Sequence, residues 1–241
     1  MLLNAKTQCI FISSAQYLNK IPEVKICCDG EYIIPSQTVK NLGLYIDRSM
    51  SFNTHIEEMC KKVTGILMYV NRIGNTFDWK TRTQIVESIA LSIMNYCIII
   101  WGSTADLYLD KAQKIQNFAA RVAVGGVRKY DHITPAFEKL KWLKIKQKHI
   151  YDTCVMMYKF LNDRIPNWLI RFPTVGEVLT ARTRQRDDLY IERTRTALGG
   201  RDFKAKGPFT WNKLPTHLKS IRNLSSSKTK TRNNLLELQN S

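Results

Sequence analysis

Arginine spacing gives this sequence its clearest chemical handle. Arg182, Arg184 and Arg186 alternate, and Arg193 and Arg195 do so again. In an extended chain every second side chain points the same way. Each set would then line up guanidiniums suited to tracking phosphates. The same residues also fit a solvated charge run. Asp187-Asp188 is the sole Asp pair. Paired carboxylates bridge Mg²⁺ in two-metal polymerases. This pair, however, follows Gln185-Arg186 in a polar, Arg-rich stretch and reads as a solvated loop. His55, His132, His149 and His217 stand at no metal-ligand spacing, and none of the six cysteines forms a C-x-x-C pair. Several of the cysteines sit among apolar neighbours, and they are expected as buried thiols in a reducing compartment. No phosphate-cradling Gly-rich loop and no nucleophile elbow is evident.

Binding chemistry is better represented than catalytic chemistry. Lys and Arg total 37 against 20 Asp and Glu, a net charge of +17 over 241 residues. Residues 1–110 carry 10 basic and 10 acidic residues, whereas residues 111–241 carry 27 and 10. A surface made basic only for solubility need not sort its charge along the chain, so a polyanion partner is expected. Hydrophobic content of 44% and few Gly (11) and Pro (7) exclude a fibrous or wholly disordered chain. No signal peptide is expected at the N-terminus. Residues 88–105 lack charge over 18 positions, but Ser92 and Asn95 interrupt them. They read as a buried core helix rather than a membrane span.

The elements that must position these residues follow from periodicity. Residues 7–13, 24–34 and 39–46 read as short strands, the second a hairpin turning at Asp29-Gly30. A first helix starts at a Thr54/Glu57 capping box and buries Ile56, Cys60, Val63, Leu67, Val70 and Ile73. A second, capped by Asp78, runs to Trp101-Gly102. A third spans about 106–124 and a fourth about 145–162. From Arg171 the helical period fades. Residues 225–232 are basic, low in complexity and expected to be disordered. The fold class is mainly α with a small N-terminal antiparallel β element (α+β). A helical bundle then precedes a basic, partly irregular C-terminal region.

A series of short motifs adds a resemblance. Asn4-Ala5-Lys6-Thr7 with Ile10-Phe11 is similar to the segment after the catalytic strand in reverse transcriptases of non-LTR retrotransposons, the jockey-like LINE elements. Val39-Lys40-Asn41-Leu42-Gly43-Leu44-Tyr45-Ile46-Asp47 resembles their Lys-Tyr-Leu-Gly segment, with Asn41 where Tyr is commoner. Ser51-Phe52, His55-Ile56, Tyr96-Cys97 and Trp101-Gly102 follow in family order. So do Lys114-Ile115-Gln116-Asn117, Ala120-Arg121, Leu140-Lys141-Trp142-Leu143 and Pro166-Asn167-Trp168-Leu169. Phe203, Gly207-Pro208 and Trp211-Asn212-Lys213-Leu214-Pro215 resemble the family's C-terminal block. Each motif is weak alone; their order covers nearly the whole chain.

The resemblance implies that residues 1–48 are the last palm strands, 49–170 a thumb-like helical domain and 171–241 the basic C-terminal region. The family's palm carboxylates lie upstream of the segment matched by Asn4 to Thr7. A fragment of an RNA-directed DNA polymerase without its catalytic Asp pair is therefore expected, one that does not polymerise alone. It needs no cofactor; Mg²⁺ belongs to the intact polymerase. By the same resemblance Lys6 lies near the incoming nucleotide, and Lys40, Leu42 and Gly43 form the primer grip. Lys111, Lys114, Arg121, Arg128 and Lys129, with the arginines from Arg182 to Arg195, are the further candidate contacts to RNA or an RNA–DNA hybrid. Other expected partners are the palm and fingers portion of a full-length element protein, and no membrane. The location is expected to be intracellular, nuclear and/or cytoplasmic. A domesticated protein-interaction module, or an inert relic, is the alternative.

Overall fold

The computed structural model describes residues 7–20, 25–28, 31–128, 130–166, 168, 170–179 and 185–240. After a single helical turn, α1 (Ala15–Leu18), the chain makes two separate antiparallel hairpins. β1 (Ile26–Cys28) pairs with β2 (Glu31–Ile33), as expected, although the turn residues lie outside the described residues. β3 (Thr38–Asn41) pairs with β4 (Leu44–Asp47), Thr38 opposite Asp47 and Asn41 opposite Leu44. The single strand expected over 39–46 is thus folded in two. Leu42 at φ 46° and Gly43 at φ 87° supply a two-residue loop of the kind that matches strand twist. Residues 7–13 form no strand. Backbone bonds from Ser13 N to Arg48 O (3.0 Å) and Ser36 N to Cys9 O (2.8 Å) fix them instead.

The long helix α2 (Asn53–Ile73) buries Ile56, Met59, Val63, Leu67 and Val70, a stripe at helical spacing. Its start departs from the capping-box expectation. Phe52 occupies the cap in a left-handed conformation, without a side-chain cap. Asp47, at the end of β4, takes that role from outside the helix, as described below. A 3-10 turn at Gly74–Thr76 follows, and then α3 (Trp79–Ile85), capped by Asp78 as expected. This helix widens into a π turn, Val86–Leu91, and continues as α4 (Ser92–Asn95). It does not reach Gly102 unbroken. Cys97 turns left-handed (φ 53°) and the helix restarts as α5 (Ile98–Trp101), with Trp101 Nε1 donating to Tyr96 O (2.9 Å). Val86, Ala90, Met94, Ile98 and Trp101 are all buried, so the uncharged run is a core segment. Among the described residues no helix is long and apolar enough to cross a membrane.

α6 (Asp106–Val124) and α7 (Thr134–Leu140) complete the first core, which spans Leu44 to Ile145. Arg82 closes the C-terminal end of α6. Its guanidinium donates to Ala123 O (3.1 Å) and Val124 O (3.0 Å), a favourable charge at a helix C-terminus. α8 (Ile145–Leu161) then leaves that core with Ile145 and enters a second one with Cys154, Met157 and Tyr158. The expected inward Leu161 is 36% exposed, because α8 ends there.

Beyond α9 (Val175–Val178) and α10 (Ala197–Arg201), α11 (Phe203–Asn212) supplies Trp211 to the second core. Asn212 exchanges two hydrogen bonds with the Leu189 backbone (2.9 and 3.0 Å). After α12 (Thr216–Lys219) comes α13 (Leu224–Asn240). The disorder expected for Ser225 to Arg232 is overturned, since those residues are helical. Asn223 Oδ1 caps the helix through Ser225 N (2.8 Å) and Ser226 N (3.2 Å). Ser227, Thr231 and Leu235, four residues apart, are buried on the face that meets α8. A buried face made mostly of Ser and Thr leaves no hydrophobic period to read.

Cys154 is buried as expected and Cys27 is exposed, while Cys9, Cys60 and Cys97 lie between. Burial pushes the Cys154 thiol up to about 12 and the Cys60 thiol up to about 11.

Candidate nucleic-acid interface

The β3–β4 hairpin projects Lys40 and Leu42 from its tip, Leu42 being 86% exposed. Tyr96 Oη donates to Leu42 O (2.6 Å) and ties the loop to the end of α4. A side chain at Gly43 would meet the Tyr96 ring at ordinary contact distance (3.6 Å). Its φ of 87° is what excludes an L residue without strain. Between hairpin and helices lies an open cavity of about 460 Å³. Lys40, Leu42, Gly43 and Tyr45 form one wall; His55, Glu58, Met59 and Lys62 of α2 and Ser92, Ile93 and Tyr96 form the others.

The junction beneath this cavity is set by Asp47. One carboxylate oxygen accepts from Ser49 N (3.1 Å) and Ser51 N (3.0 Å), the other from Phe52 N (2.6 Å). Burial pushes its pKa up, but the hydrogen bonds from Ser51, Ser49 and Phe52 outweigh that and hold it below the usual carboxylate range. Thr104 Oγ1 donates to Ser51 O (2.5 Å), joining the junction to the start of α6. His55 is 6% exposed, and its Nε2 has no hydrogen-bond partner among the described residues. Burial lowers its pKa and so favours the neutral ring.

The other candidates divide. Lys111 reaches back to α2, pairing with Glu57 (2.9 Å) and Asn53 (3.2 Å), so it braces α6 against α2. Lys114 is exposed and forms no ion pair among the described residues. Arg121 is structural: it donates to Arg128 O (3.1 Å) and Asp131 O (3.3 Å), while Arg128 N donates to Asp131 Oδ2 (2.7 Å). These bonds fold the loop after α6 and leave the Arg128 side chain exposed. Arg186, Arg193 and Arg195 are exposed, in turn or irregular segments. Lys6, Lys129, Arg182 and Arg184 lie outside the described residues, and with them the row of three guanidiniums. Asp188 contacts Lys219 Nζ (3.4 Å).

Lys40, Leu42 and Gly43 are therefore brought together in one site, and Lys111 and Lys114 lie apart on α6. Sequence reasoning missed Lys62 and Tyr96 as partners of the hairpin. Lys62 is seven residues after His55, two helical turns on the same face, a signal visible in the sequence. Tyr96 is placed only by the break at Cys97. Two cations around an open cavity can hold a phosphate. Among the described residues no group of three His, Cys, Asp or Glu side chains is placed to hold a metal ion. Comparison with protein-family models, curated proteins and solved structures finds no match to the chain.

Proposed function

We propose that this chain holds RNA, or an RNA–DNA hybrid, without sequence preference, as the late-palm, thumb and C-terminal part of a non-LTR retrotransposon reverse transcriptase. The observation that carries this reading is the cavity where the Lys40–Gly43 hairpin meets α2, with Lys62 on the opposing wall and beside it His55 Nε2, which has no hydrogen-bond partner among the described residues. The ordered motifs across the chain and the charge excess confined to residues 111–241 support it. In this reading the chain supplies no catalytic residue: its motifs include no counterpart of the palm's carboxylate pair, and Mg²⁺ belongs to the intact polymerase. Location follows the nucleic acid, in nucleus or cytoplasm.

The test is fluorescence anisotropy of the full chain with a short labelled RNA and with the matching hybrid, over a salt series. Log affinity should fall linearly with log salt. Lys40→Ala/Lys62→Ala should weaken binding equally for unrelated sequences and lower the slope by about 1 to 2. Absence of binding at low salt, or a signal indifferent to salt, sinks the reading. A second reading has its own support. Met68, Tyr69, Ile89 and Ile100 are exposed apolar side chains on the helical region, the surface of a protein-interaction module. Self-association that persists in high salt, with no RNA binding, would favour it.

A further inference from the structure

Away from the hairpin, α8, α13 and the end of α7 enclose a second basic site. A hollow of about 230 Å³ is lined by Lys141, Tyr151, Lys228, Thr229, Arg232, Asn233 and Leu236, with no carboxylate among them. It adjoins a larger cleft of about 360 Å³ that shares Tyr151 and Arg232. Among the described residues the one acid lining that cleft, Glu87, is already engaged by Trp142 Nε1 (2.7 Å).

Three features distinguish this cluster from a solvated charge run. Lys228 and Arg232 are four residues apart on one helix, where like charges repel. Neither they nor Lys141 forms an ion pair among the described residues. The Arg232 side chain and the Lys141 backbone are also held in place, while the Lys228 side chain is exposed. Arg232 Nη2 donates to Lys141 O (3.0 Å), and Lys141 itself is held left-handed (φ 53°) at the end of α7. Gln239 anchors the far end of α13 through Trp142 O (3.1 Å) and Lys144 N (2.8 Å). Tyr151 is half-buried beside them, with Lys148 Nζ, itself paired with Asp152, over its ring (5.2 Å); burial and then the Asp152 charge raise its phenol, and the Arg232 charge opposes that rise. A hollow with three cations that form no ion pair among the described residues, and with an aromatic wall, fits one phosphate with a base stacked nearby.

We propose that this hollow between α8 and α13 binds a phosphodiester of single-stranded RNA, with Lys141, Lys228 and Arg232 on its oxygens and Tyr151 against the adjoining base. This rests on the nucleic-acid reading above and adds a contact remote in sequence from the hairpin.

The experiment is anisotropy of the full chain with a labelled single-stranded RNA over a salt series. Lys228→Ala/Arg232→Ala is compared with Lys20→Ala/Lys25→Ala, which removes the same charge at exposed N-terminal positions. The first pair should weaken binding on the order of tenfold and flatten the salt slope by about 0.7 to 1.4, the second far less. Arg232→Lys, which keeps the charge, should retain most affinity, and Tyr151→Leu should lose part of it. Equal loss in the two double variants overturns the site, since net charge then explains it. So does loss in Arg232→Lys as large as in Arg232→Ala with none in Lys228→Ala, because the effect is then structural. Either result leaves the hairpin reading standing. If the unaltered chain fails to bind RNA at low salt, both readings fall together.

Discussion

At the junction of β4 and α2 a single carboxylate does the work expected of a helix cap. Asp47 accepts from the backbone N–H groups of Ser49, Ser51 and Phe52, so the hairpin and the first long helix share one fixed point. Asp47→Ala should lower stability by about 1 to 3 kcal/mol, read as a lower midpoint in chemical denaturation. Its carboxyl titrates below the ordinary range when folded. The contribution is therefore present above the unfolded pKa and is lost as pH falls through the folded one. His149 sets a second pH dependence. It is buried against α5, so close to Gly102 that a Cβ there would sit 2.7 Å from its Cδ2. Burial first, and then the Lys206 charge, lowers its pKa to about 4, against a hydrogen bond with the Ile99 backbone that favours the charged ring. The unfolded chain takes up that proton near 6.5, so stability should be level above neutrality and fall between pH 6.5 and 4. The loss is roughly 3 kcal/mol. Denaturation midpoints of His149→Gln should show a shallower fall over that window. An unchanged slope in the variant would mean other groups carry it.

The helices differ in how openly the sequence announces them. α6 and α8 carry clear apolar stripes, and their expected limits agree closely with those found. α13 carries none. Its buried face is Ser227, Thr231 and Leu235, and the rest is mostly basic and polar apart from Leu224, Leu236 and Leu238, close to the composition of a disordered tail. Isolated helices of this polarity are marginal, so contact with α8 must supply the stability. Leu235→Ala should therefore cost about 2 to 4 kcal/mol and selectively raise amide exchange across residues 224–240. Exchange as fast in the unaltered chain as in an unfolded peptide would remove this helix, and with it the hollow beside Tyr151.

Across the whole molecule, α8 joins two cores. Its first residue, Ile145, belongs to the core built from α2 to α7, and Cys154, Met157 and Tyr158 belong to the core closed by α11 and α12. The charge excess, all of it within residues 111–241, falls on both parts. Binding distributed over such a surface should depend on salt more steeply than either the hairpin or the α8–α13 hollow accounts for alone.

The helical class, the limits of α6 and α8, the Asp78 cap, the β1–β2 hairpin and the sorting of charge are all legible along the chain. Each of these is local: a period, a cap or a count. The sequence also marked Lys40, Leu42 and Gly43, though as one strand rather than as a turn with both φ positive. Tertiary structure decided what depends on residues distant in the chain. Lys62 and Tyr96 meet the hairpin because α2 and α4 pack beneath it, and Arg121 is held by the loop it closes. Lys141, Lys228 and Arg232 converge although about ninety positions separate the first from the other two. A basic residue reads the same in sequence whether it braces a loop or faces an open cavity. Only the packing around it fixes which of the two it does.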